Sequence, residues 1–527
     1  MTMCTLSFAI PWRGLAVIAA LQLAACASLP PATVLTRSEA ITDVAQTRLA
    51  RVGSAGAPDA SSGLSGFRLL PEAAFAFDAR IAISRSAEKS LDVQYYLIKD
   101  DDVGLRLLSE LRDAARRGVR VRLLVDDLYT AGQDELFLAL ASQPHFEVRL
   151  FNPFPSRADS PAARLALSLH EFERVNHRMH NKLMVADGSL AVAGGRNLAN
   201  EYFMRSDEAN FIDIDVLATG PVVGAMSQAF DLYWNSAEVR PVEDVAGIVL
   251  SAEQGGRRLD ELLGAAKGGG ALRERDVLGH TSVTLQLAQG QLDQIWAPAR
   301  LFVDEPAKIH RSKAAAFHGS VTESALDFLD KSHGNVTIIS PYFIPGPNGI
   351  AMMRRETQKG GRITVITNSL GATDAPLVYA GYERHRVEML KAGVDIYELA
   401  SDIPARSTRF GSFGKSISRL HAKLALIDGT GVFIGSMNLD HRSADINTEI
   451  GLAIESPSLV AQFEQFVRGD REHLGYRLRL APVGRHVQWL EESESGVTVV
   501  HDDAPGNHFG LRLRNRLLLP FVGEDLL

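Results

Sequence analysis

One stretch of this chain, HNKLMVADGSLAVAGGRN at residues 180–197, occurs a second time in recognisable form as HAKLALIDGTGVFIGSMN at residues 421–438. Both copies follow the pattern His-x-Lys, four residues, Asp, six residues, Gly-Gly or Gly-Ser, one residue, Asn. A spaced pattern with this many fixed positions is far rarer by chance than a short motif, so the two copies indicate an internal duplication. The chain is therefore predicted to contain two similar halves that build one site.

Each copy also predicts a β-hairpin. Apolar runs flank Asp187-Gly188 in the first copy and Asp428-Gly429 in the second, and Asp-Gly between two such runs is a strong hairpin signal. Along a strand, the motif aspartate lies about 16 Å from the motif histidine, which is too far for contact. Asp187 and Asp428 are therefore interpreted mainly as turn-forming residues.

The hairpin geometry places each motif histidine next to its motif lysine. Residues i and i+2 of a strand point to the same face. His180 is therefore expected beside Lys182, and His421 beside Lys423. An imidazole next to an ammonium group favours binding of a phosphate.

Each imidazole also needs an acceptor that fixes its tautomer. Asp213 and Glu449 are the candidates, because each lies in a strand-like apolar run where a carboxylate is costly to bury without a partner. They align when the halves are anchored on Pro221 and Pro457. Asp215 is a rival in the first half, and an exposed strand carboxylate is the alternative interpretation of both candidates.

These residues resemble the phospholipase D superfamily, whose signature is this duplicated His-Lys-Asp pattern. The similarity covers about residues 67 to 527 and is greatest to the C-type branch of bacterial cardiolipin synthases, including Gly195 in place of the usual serine. The stretches that carry this resemblance beyond the motifs are LDVQYY at 91–96, RRGVRVRLL at 116–124, RMHNK at 178–182, GGRN at 194–197, YFIP at 342–345 and TNSL at 367–370.

The resemblance implies an α/β fold of two similar phospholipase D-type lobes, each a mixed β-sheet flanked by helices, which form one bilobal active site. The sequence pattern agrees, because strand, helix and strand alternate in both halves. The predicted strands are 90–97, 119–125, 336–343, 363–368 and 394–398, and the predicted helices are 103–117, 351–358 and 378–392.

The resemblance also implies a mechanism. His180 is expected to attack phosphorus and form a phosphohistidine, while His421 acts as general acid and then as general base. The donors to the phosphoryl oxygens are expected to be Lys182, Lys423, Asn197 and Asn438. No metal or other cofactor is expected, because the two lysines supply positive charge. From the residues alone, either histidine could attack, and either water or an alcohol could open the intermediate.

The N-terminus resembles a bacterial lipoprotein signal, with an apolar stretch that leads to Leu23-Ala24-Ala25-Cys26. This stretch is too short to span a bilayer as a stable helix, which favours a cleaved signal over residues 1–25. Cys26 is then expected to be lipidated and to tether the protein to the bacterial cell envelope, facing the periplasm. Ala27 after it favours the outer membrane. An ordinary signal-peptide cysteine is the alternative.

The sequence divides into six segments after these motifs are placed. They are a signal peptide at 1–25, a tether or linker at 26–66, a first lobe at 67–245 with its motif at 180–197, a connector at 246–300, a second lobe at 301–480 with its motif at 421–438, and a C-terminal extension at 481–527. The connector is interpreted as a surface linker or as a lid near the site.

Three functions are compatible with these features. The favoured one is phosphatidyl transfer to a glycerol hydroxyl of phosphatidylglycerol, as in cardiolipin synthases, with hydrolysis of phospholipids to phosphatidic acid as the alternative. A nuclease of the same superfamily is disfavoured by the net charge of −8, which argues against a broad nucleic-acid surface. A catalytically silent envelope lipoprotein is disfavoured by the intact motifs. The expected partners are membrane phospholipids, and the sequence identifies no protein partner.

Overall fold

A computed structural model describes most of the chain after the N-terminal segment. The residues it describes are 29, 30, 33, 35–59, 62–264, 272–331, 334–403, 416–468, 474–483, 486–492, 497–506 and 509–518. The predicted signal peptide and the lipidation candidate Cys26 lie outside the described residues. Within these ranges, no helix is both long and apolar enough to cross a bilayer.

The described chain forms strands and helices in alternation. The strands are β1 (Ser65–Leu70), β2 (Ser90–Tyr95), β3 (Arg120–Asp126), β4 (Phe146–Phe151), β5 (Lys182–Ala186), β6 (Leu190–Gly194), β7 (Ala209–Ile212), β8 (Asp215–Thr219), β9 (Val239–Pro241), β10 (Ile295–Ala297), β11 (Ala299–Val303), β12 (Asn335–Ile339), β13 (Arg362–Asn368), β14 (Asp395–Leu399), β15 (Ile417–Leu420), β16 (Leu424–Ile427), β17 (Gly431–Gly435), β18 (Ile450–Glu455), β19 (Gly475–Leu480), β20 (Val487–Glu492) and β21 (Thr498–His501).

The helices mostly cover the faces of these strands. The α-helices are Arg48–Ser54, Ala73–Ser86, Asp102–Arg116, Asp134–Ala141, Pro161–Leu167, Phe172–Val175, Pro221–Trp234, Val242–Ala246, Ala252–Leu263, Val283–Gln289, Lys313–Phe317, Val321–Asp330, Gly346–Gln358, Pro376–Glu383, Arg386–Lys391, Pro457–Arg468 and Phe509–Leu518. Short 3₁₀ helices are Asp127–Tyr129, Leu169–Glu171, Asn200–Phe203 and Pro306–His310, and a π-helical turn is Arg442–Ile446.

The strands form two large sheets that repeat one arrangement. The first sheet has the order β10-β1-β8-β6-β5-β2-β3-β4-β9, and the second has the order β11-β18-β17-β16-β12-β13-β14-β19-β20-β21. In both, three consecutive parallel strands (β2-β3-β4 and β12-β13-β14) adjoin an antiparallel hairpin (β5-β6 and β16-β17). The predicted mixed α/β fold with two similar lobes is therefore confirmed.

The motif hairpins form as predicted, with β5 and β6 joined through Asp187-Gly188 and β16 and β17 through Asp428-Gly429. The predicted helix 378–392 is instead two helices, Pro376–Glu383 and Arg386–Lys391. The break lets the guanidinium of Arg386 turn inward and pair with Glu398 at 3.1 Å.

The described residues form three hydrophobic clusters, one within each lobe and one that both lobes share. In the shared cluster, Phe230 and Trp234 of the first lobe join Leu459 and Phe463 of the second. These side chains belong to the helices Pro221–Trp234 and Pro457–Arg468, so one helix from each lobe packs at the boundary. A further two-stranded parallel sheet, β7 with β15, also links the lobes directly.

Part of the segment expected to be a tether, 26–66, packs against the first lobe. The helix Arg48–Ser54 begins at Thr47, whose side chain accepts a hydrogen bond from the Ala50 amide, and it buries Leu49 and Val52. Composition rich in Gly, Ala and Ser predicted a linker, but two apolar residues on one helix face suffice to dock this segment.

The segment expected to be a connector, 246–300, is mostly part of the first lobe. The helix Ala252–Leu263 buries Leu259 and Leu263, and β10 joins the first sheet at its edge. The expected C-terminal extension is likewise partly integrated, because β20 and β21 lengthen the second sheet. Burial of a few apolar side chains anchors each of these segments.

Candidate active site

The two motif histidines lie at the boundary between the lobes, and each is fixed by the backbone of the opposite lobe. The His180 amide donates to the Thr448 carbonyl at 2.8 Å, and the His421 amide donates to the Ile212 carbonyl at 2.8 Å. Thr448 and Ile212 directly precede Glu449 and Asp213. The same backbone contact therefore brings each predicted carboxylate to the histidine of the other lobe.

The side chains complete this exchange. His180 Nδ1 lies 2.9 Å from Glu449 Oε2 and 3.1 Å from Oε1, while His421 Nδ1 lies 2.6 Å from Asp213 Oδ2. A carboxylate at Nδ1 holds the proton there and leaves the Nε2 lone pair free, as in nucleophilic and acid-base histidines generally. All four side chains are buried, and each histidine is oriented by a residue from the opposite half of the sequence.

The rival carboxylate Asp215 has a different role. It pairs with Arg80 at 3.0 Å and with Arg196 at 3.1 Å, and Arg196 also donates to several backbone carbonyls of the first lobe. Asp215 thus belongs to a buried arginine network, and Asp213 is the carboxylate that contacts His421.

The two histidine-carboxylate pairs are not equivalent. Glu449 accepts hydrogen bonds from the hydroxyls of Ser436 and Ser443, the latter at 2.7 Å. Asp213 accepts from the amide of Ile214 at 2.8 Å. Opposite Asp213 stands Gly195, where a Cβ atom would lie only 2.1 Å from Asp213 Oδ1. The shorter carboxylate therefore occupies space that the Ser436 side chain occupies in the other lobe.

The motif lysines fold back toward their own histidines. Lys182 Nζ donates to the His180 carbonyl at 2.6 Å, and Lys423 Nζ donates to the His421 carbonyl at 2.5 Å. Lys423 Nζ also lies 3.2 Å from His421 Nε2. Lys423 Nζ thus lies beside the ring of His421, 3.0 Å from its Nδ1, while Lys182 Nζ is held at the backbone of His180.

The motif asparagines retain unused hydrogen-bonding capacity. Asn197 Nδ2 donates to the Tyr202 hydroxyl at 2.8 Å, and among the described residues the buried side-chain carbonyls of Asn197 and Asn438 have no hydrogen-bond partner. A buried polar atom without a partner is costly. These two amides are thus poised at the site for a further hydrogen-bonding group.

Burial sets the protonation of the histidines. Desolvation lowers the pKa of His180 to about 4, although Glu449 opposes this shift. Desolvation, followed by the nearby Lys423, also lowers the pKa of His421. Both rings are therefore neutral at neutral pH before a ligand binds, and His180 carries the lone pair that a nucleophile requires.

The lysines and carboxylates form a coupled charge cluster. Desolvation lowers the pKa of Lys423 to about 8 and that of Lys182 well below its usual range. The pKa values of Asp213 and Glu449 are lowered despite burial, because each carboxylate faces a histidine and a lysine. This arrangement favours entry of an anion, which restores the charge of the lysines.

Aromatic rings flank each histidine. Tyr96 meets His180 edge-on with ring centroids 4.9 Å apart, and Tyr202 meets His421 in the same way at 5.0 Å. Phe211 also contacts His421 at 5.0 Å and packs against Tyr202 at 4.7 Å. These rings restrict imidazole rotation and keep the site poor in water. Within the described ranges, no three His, Cys, Asp or Glu side chains are grouped to hold a metal ion.

The motif aspartates lie at the far end of the hairpins, as the strand spacing predicts. Asp187 and Asp428 have positive φ angles of 49° and 52°. The Asp187 carboxylate accepts from the Ser90 amide at 2.9 Å, and the Asp428 carboxylate accepts from the Asn335 amide at 2.8 Å. Each motif aspartate thus ties its hairpin to the start of the adjacent parallel strand.

Two residues that the sequence interpretation overlooked hold the backbone just before each histidine. Asp126 Oδ2 accepts from the Met179 amide at 2.8 Å. Asn368 exchanges two hydrogen bonds with Leu420, at 2.8 and 2.9 Å. Asp126 and Asn368 end the corresponding strands β3 and β13, so the available signal was a polar residue directly after each buried apolar run.

The chain matches a family profile described as cardiolipin synthase, phospholipase D-like domain, over residues 81–234 and 325–470. It is 38% identical to cardiolipin synthase C of Escherichia coli strain K12 over 460 residues, which cover 86% of this chain and 94% of that protein. It is 25% identical to cardiolipin synthase A of Pseudomonas fluorescens over 407 residues, which cover 76% of this chain and 68% of that protein.

Among solved structures, the phosphatidylserine synthase of Haemophilus influenzae Rd KW20 is similar in fold. The TM-score is 0.56 with 13% sequence identity, and the match covers 89% of this chain and 98% of that chain. At this identity the likeness concerns the fold alone. The two matched profile segments fall on the two lobes and contain both motif histidine regions.

Proposed function

We propose, since this chain belongs to the family of cardiolipin synthases with phospholipase D-like domains, that it transfers a phosphatidyl group from one phospholipid to a hydroxyl of another. The donor and the acceptor are both proposed to be phosphatidylglycerol, and the products cardiolipin and glycerol. The observation that carries this proposal is the pair of buried imidazoles, each held at Nδ1 by a carboxylate of the opposite lobe.

The first half-reaction makes a covalent intermediate. His180 Nε2 attacks phosphorus, and the bond from phosphorus to the leaving glycerol oxygen breaks. His421 gives a proton to that oxygen. The phosphodiester anion, placed next to His421, raises the pKa of this histidine from its lowered value, so substrate binding helps to protonate His421. Glu449 stabilises the positive charge that develops on His180 as the nitrogen-phosphorus bond forms.

The second half-reaction reverses these steps with a new alcohol. The acceptor hydroxyl gives its proton to His421 and attacks phosphorus, and the bond from phosphorus to His180 breaks. Throughout, Lys182, Lys423 and the two motif asparagines donate to the nonbridging oxygens, whose charge grows in the transition state. The positive charge of the two lysines is proposed to suffice without a metal ion.

Two features support transfer over hydrolysis. The histidines are buried and flanked by aromatic rings, which limits the access of water to the intermediate. The relative with the highest identity given above is itself a cardiolipin synthase. Hydrolysis to phosphatidic acid uses the same first step and is an outcome of the test below.

The test is incubation of the full-length protein with vesicles of phosphatidylglycerol, with or without phosphatidylethanolamine, followed by mass spectrometry of the lipids. Cardiolipin is expected from the parent chain, but not from His180→Ala or His421→Ala. The matched control is His318→Ala, because His318 is an exposed histidine far along the chain from both motifs. Phosphatidic acid as the sole product would replace transfer by hydrolysis, and absence of turnover would contradict both.

A trapping experiment tests the roles of the histidines. After rapid quenching during turnover, the parent chain is expected to carry a phosphatidyl adduct on His180. His180→Ala should carry no adduct. An adduct on His421 in place of His180 would exchange the two roles.

The cellular location is proposed separately. Lipidation of Cys26 would hold the protein on the envelope with its site facing the periplasm, close to its lipid substrates. Mass spectrometry of the mature N-terminus is expected to find acyl chains on Cys26, and Cys26→Ala is expected to release the protein from the membrane fraction.

A further inference from the structure

We propose that four exposed apolar side chains beside the active site insert into the lipid bilayer and bring its entrance to the substrate. This apolar lip consists of Tyr129, Leu165, Leu169 and Phe172, which are 46%, 41%, 58% and 46% exposed. The inference rests on the proposed function in one respect only, which is that the substrate of the site is a membrane lipid.

The lip has inverted amphipathicity. Leu165, Leu169 and Phe172 lie in three successive short helices, Pro161–Leu167, Leu169–Glu171 and Phe172–Val175, and all three side chains are exposed. Arg164, in the first of these helices, is only 1% exposed. A segment that faces water normally buries its leucines and exposes its arginines, so the opposite arrangement indicates a surface that meets an apolar phase.

The inversion is stabilised by polar contacts below the lip. Arg164 Nη1 donates to Thr130 Oγ1 at 2.9 Å and lies 3.4 Å from Asp127. Arg157 pairs with the same Asp127 at 2.6 Å and also with Asp134. Because these charges are paired inside, the segment is held in place with its apolar side chains outward.

The lip is continuous with the active site. The Tyr129 ring packs edge-on against Tyr96 at 5.3 Å, and Tyr96 packs against His180 at 4.9 Å. At the other end of the lip, the side chain and the carbonyl of Asn176 accept hydrogen bonds from Arg442, at 3.0 and 2.8 Å. Arg442 is next to Ser443, which contacts Glu449. A lipid that reaches the lip is therefore two ring contacts away from the nucleophile.

The lip and the N-terminal segment both contact the first lobe at β4. Arg149 of β4 donates to the Thr36 carbonyl at 3.2 Å. Asn152, directly after β4, donates to the carbonyls of Arg174 and His177 at 2.9 and 2.8 Å. Asn152 therefore fixes the lip at the end of β4, while the N-terminal segment continues from Thr36 to Thr33, which contacts Asp244, and to Pro30, which accepts from Arg240.

The lip is expected to bind the bilayer by inserting apolar side chains, and not by attraction between charges. Residues 157–175 hold three arginines and three carboxylates, and two of these arginines, Arg157 and Arg164, are paired with Asp127 below the lip, so no excess of positive charge faces a bilayer. Attraction to anionic headgroups is weakened by salt, whereas burial of apolar side chains is not. Insertion of the lip should therefore persist at high salt.

The first test places an environment-sensitive fluorophore on the full-length chain at Leu169→Cys and, as a matched control, at Val249→Cys, which is exposed and distant in sequence. The parent chain, labelled in parallel, gives the background from Cys4 and Cys26. With vesicles that contain phosphatidylglycerol and nitroxide-labelled acyl chains, we expect quenching at position 169, no quenching at 249, and no change at high salt.

Several results would overturn the proposal. One is an unquenched probe at 169 while the protein is bound to vesicles. Another is quenching that disappears at high salt. A probe at 169 that is already shielded in solution at concentrations where the chain self-associates would assign the lip to contact with a second copy. Quenching requires no turnover. A quenched probe on an inactive protein would therefore support insertion of the lip into the bilayer and contradict the proposed function.

The second test uses activity. Leu169→Asn with Phe172→Asn is expected to lower turnover of vesicle lipids about tenfold or more, because two apolar side chains no longer insert. Turnover of a short-chain, water-soluble phosphatidylglycerol should stay unchanged. The matched control is Ile248→Asn with Val249→Asn. Equal loss on both substrates would overturn the proposal, because it would indicate damage to the site itself.

Discussion

At the scale of single residues, the chemistry depends on a carboxylate supplied to each histidine from the opposite lobe. Glu449 keeps the proton of His180 on Nδ1, and Asp213 does the same for His421. These acceptors are therefore positioning residues for the two imidazoles.

Glu449→Gln and Asp213→Asn should each lower kcat by about 10²–10⁴ with little change in KM. A side-chain amide can either accept from or donate to Nδ1, so it does not fix the tautomer of the imidazole, and it carries no charge that would stabilise an imidazolium. Steady-state kinetics with vesicle substrate would measure this. Asp215→Asn serves as a comparison, because that carboxylate pairs with arginines and contacts neither histidine. A rise in KM at constant kcat would indicate that the carboxylates serve substrate binding instead.

The pH dependence should reflect the lowered pKa of Lys423. A lysine donates to phosphate only when charged, and its charge is lost as pH rises through a pKa of about 8. kcat/KM, which reports the free enzyme, should therefore fall above that pH. In Lys423→Arg the residual activity should hold up to about pH 10, because a guanidinium stays protonated there. An alkaline limb that does not move in Lys423→Arg would assign it to another group.

Gly195 and Asp213 should behave as a pair. A side chain at 195 would collide with Asp213 Oδ1, 2.1 Å from the added Cβ, so Gly195→Ser should lower kcat about tenfold or more by displacing this carboxylate from His421. Adding Asp213→Glu should restore part of the loss, because the combination reproduces the Ser436 and Glu449 pair. Additive losses in this double-mutant cycle would show that the two positions are independent.

The motif histidines, lysines and asparagines could be found from the sequence because their spacing repeats. The candidate carboxylates could also be found, since each is a costly charge in an apolar run. The sequence could not show that each carboxylate serves the histidine of the other lobe, because a histidine and its acceptor are far apart in the chain. Only the packing of the two lobes brings them together. Asp126 and Asn368 were missed for a similar reason, since their partners are backbone groups of residues more than 50 positions away in the chain.

At the scale of elements, the helix Arg48–Ser54 is the clearest departure from what composition indicates. Leu49 is completely buried, so Leu49→Ala should lower the free energy of unfolding by about 2–4 kcal/mol. Denaturant titration would measure it. Val497→Ala, at an exposed apolar position near the C-terminus, should change stability little. If Leu49→Ala left the free energy of unfolding unchanged, this segment would be a tether and not a docked part of the first lobe.

The strands and helices of both motif regions were predictable because apolar periodicity and Asp-Gly turns are local signals. The docking of three other segments was not predictable, because it depends on a few buried side chains and on vacant sheet edges. These segments are 26–66, 246–300 and 481–527. Local composition carries no information about such edges.

At the scale of the whole molecule, the shared core and the strand pair β7 and β15 should make the two lobes unfold together. Hydrogen exchange with rising denaturant should expose the amides of β3 and β13 at the same concentration, although these strands lie in different lobes. Leu459→Ala, in the shared cluster, should shift both by the same amount. Exposure of β13 before β3 would show that the lobes are independent.

The exchange of carboxylates has an evolutionary consequence. Neither half of the sequence holds both a motif histidine and the acceptor that orients it, so a single ancestral copy could have worked only as a symmetric dimer. Joining two copies in one chain removes the requirement that they be identical. The difference between Gly195 with Asp213 and Ser436 with Glu449 is what that freedom allows, because two related histidines no longer share the same surroundings.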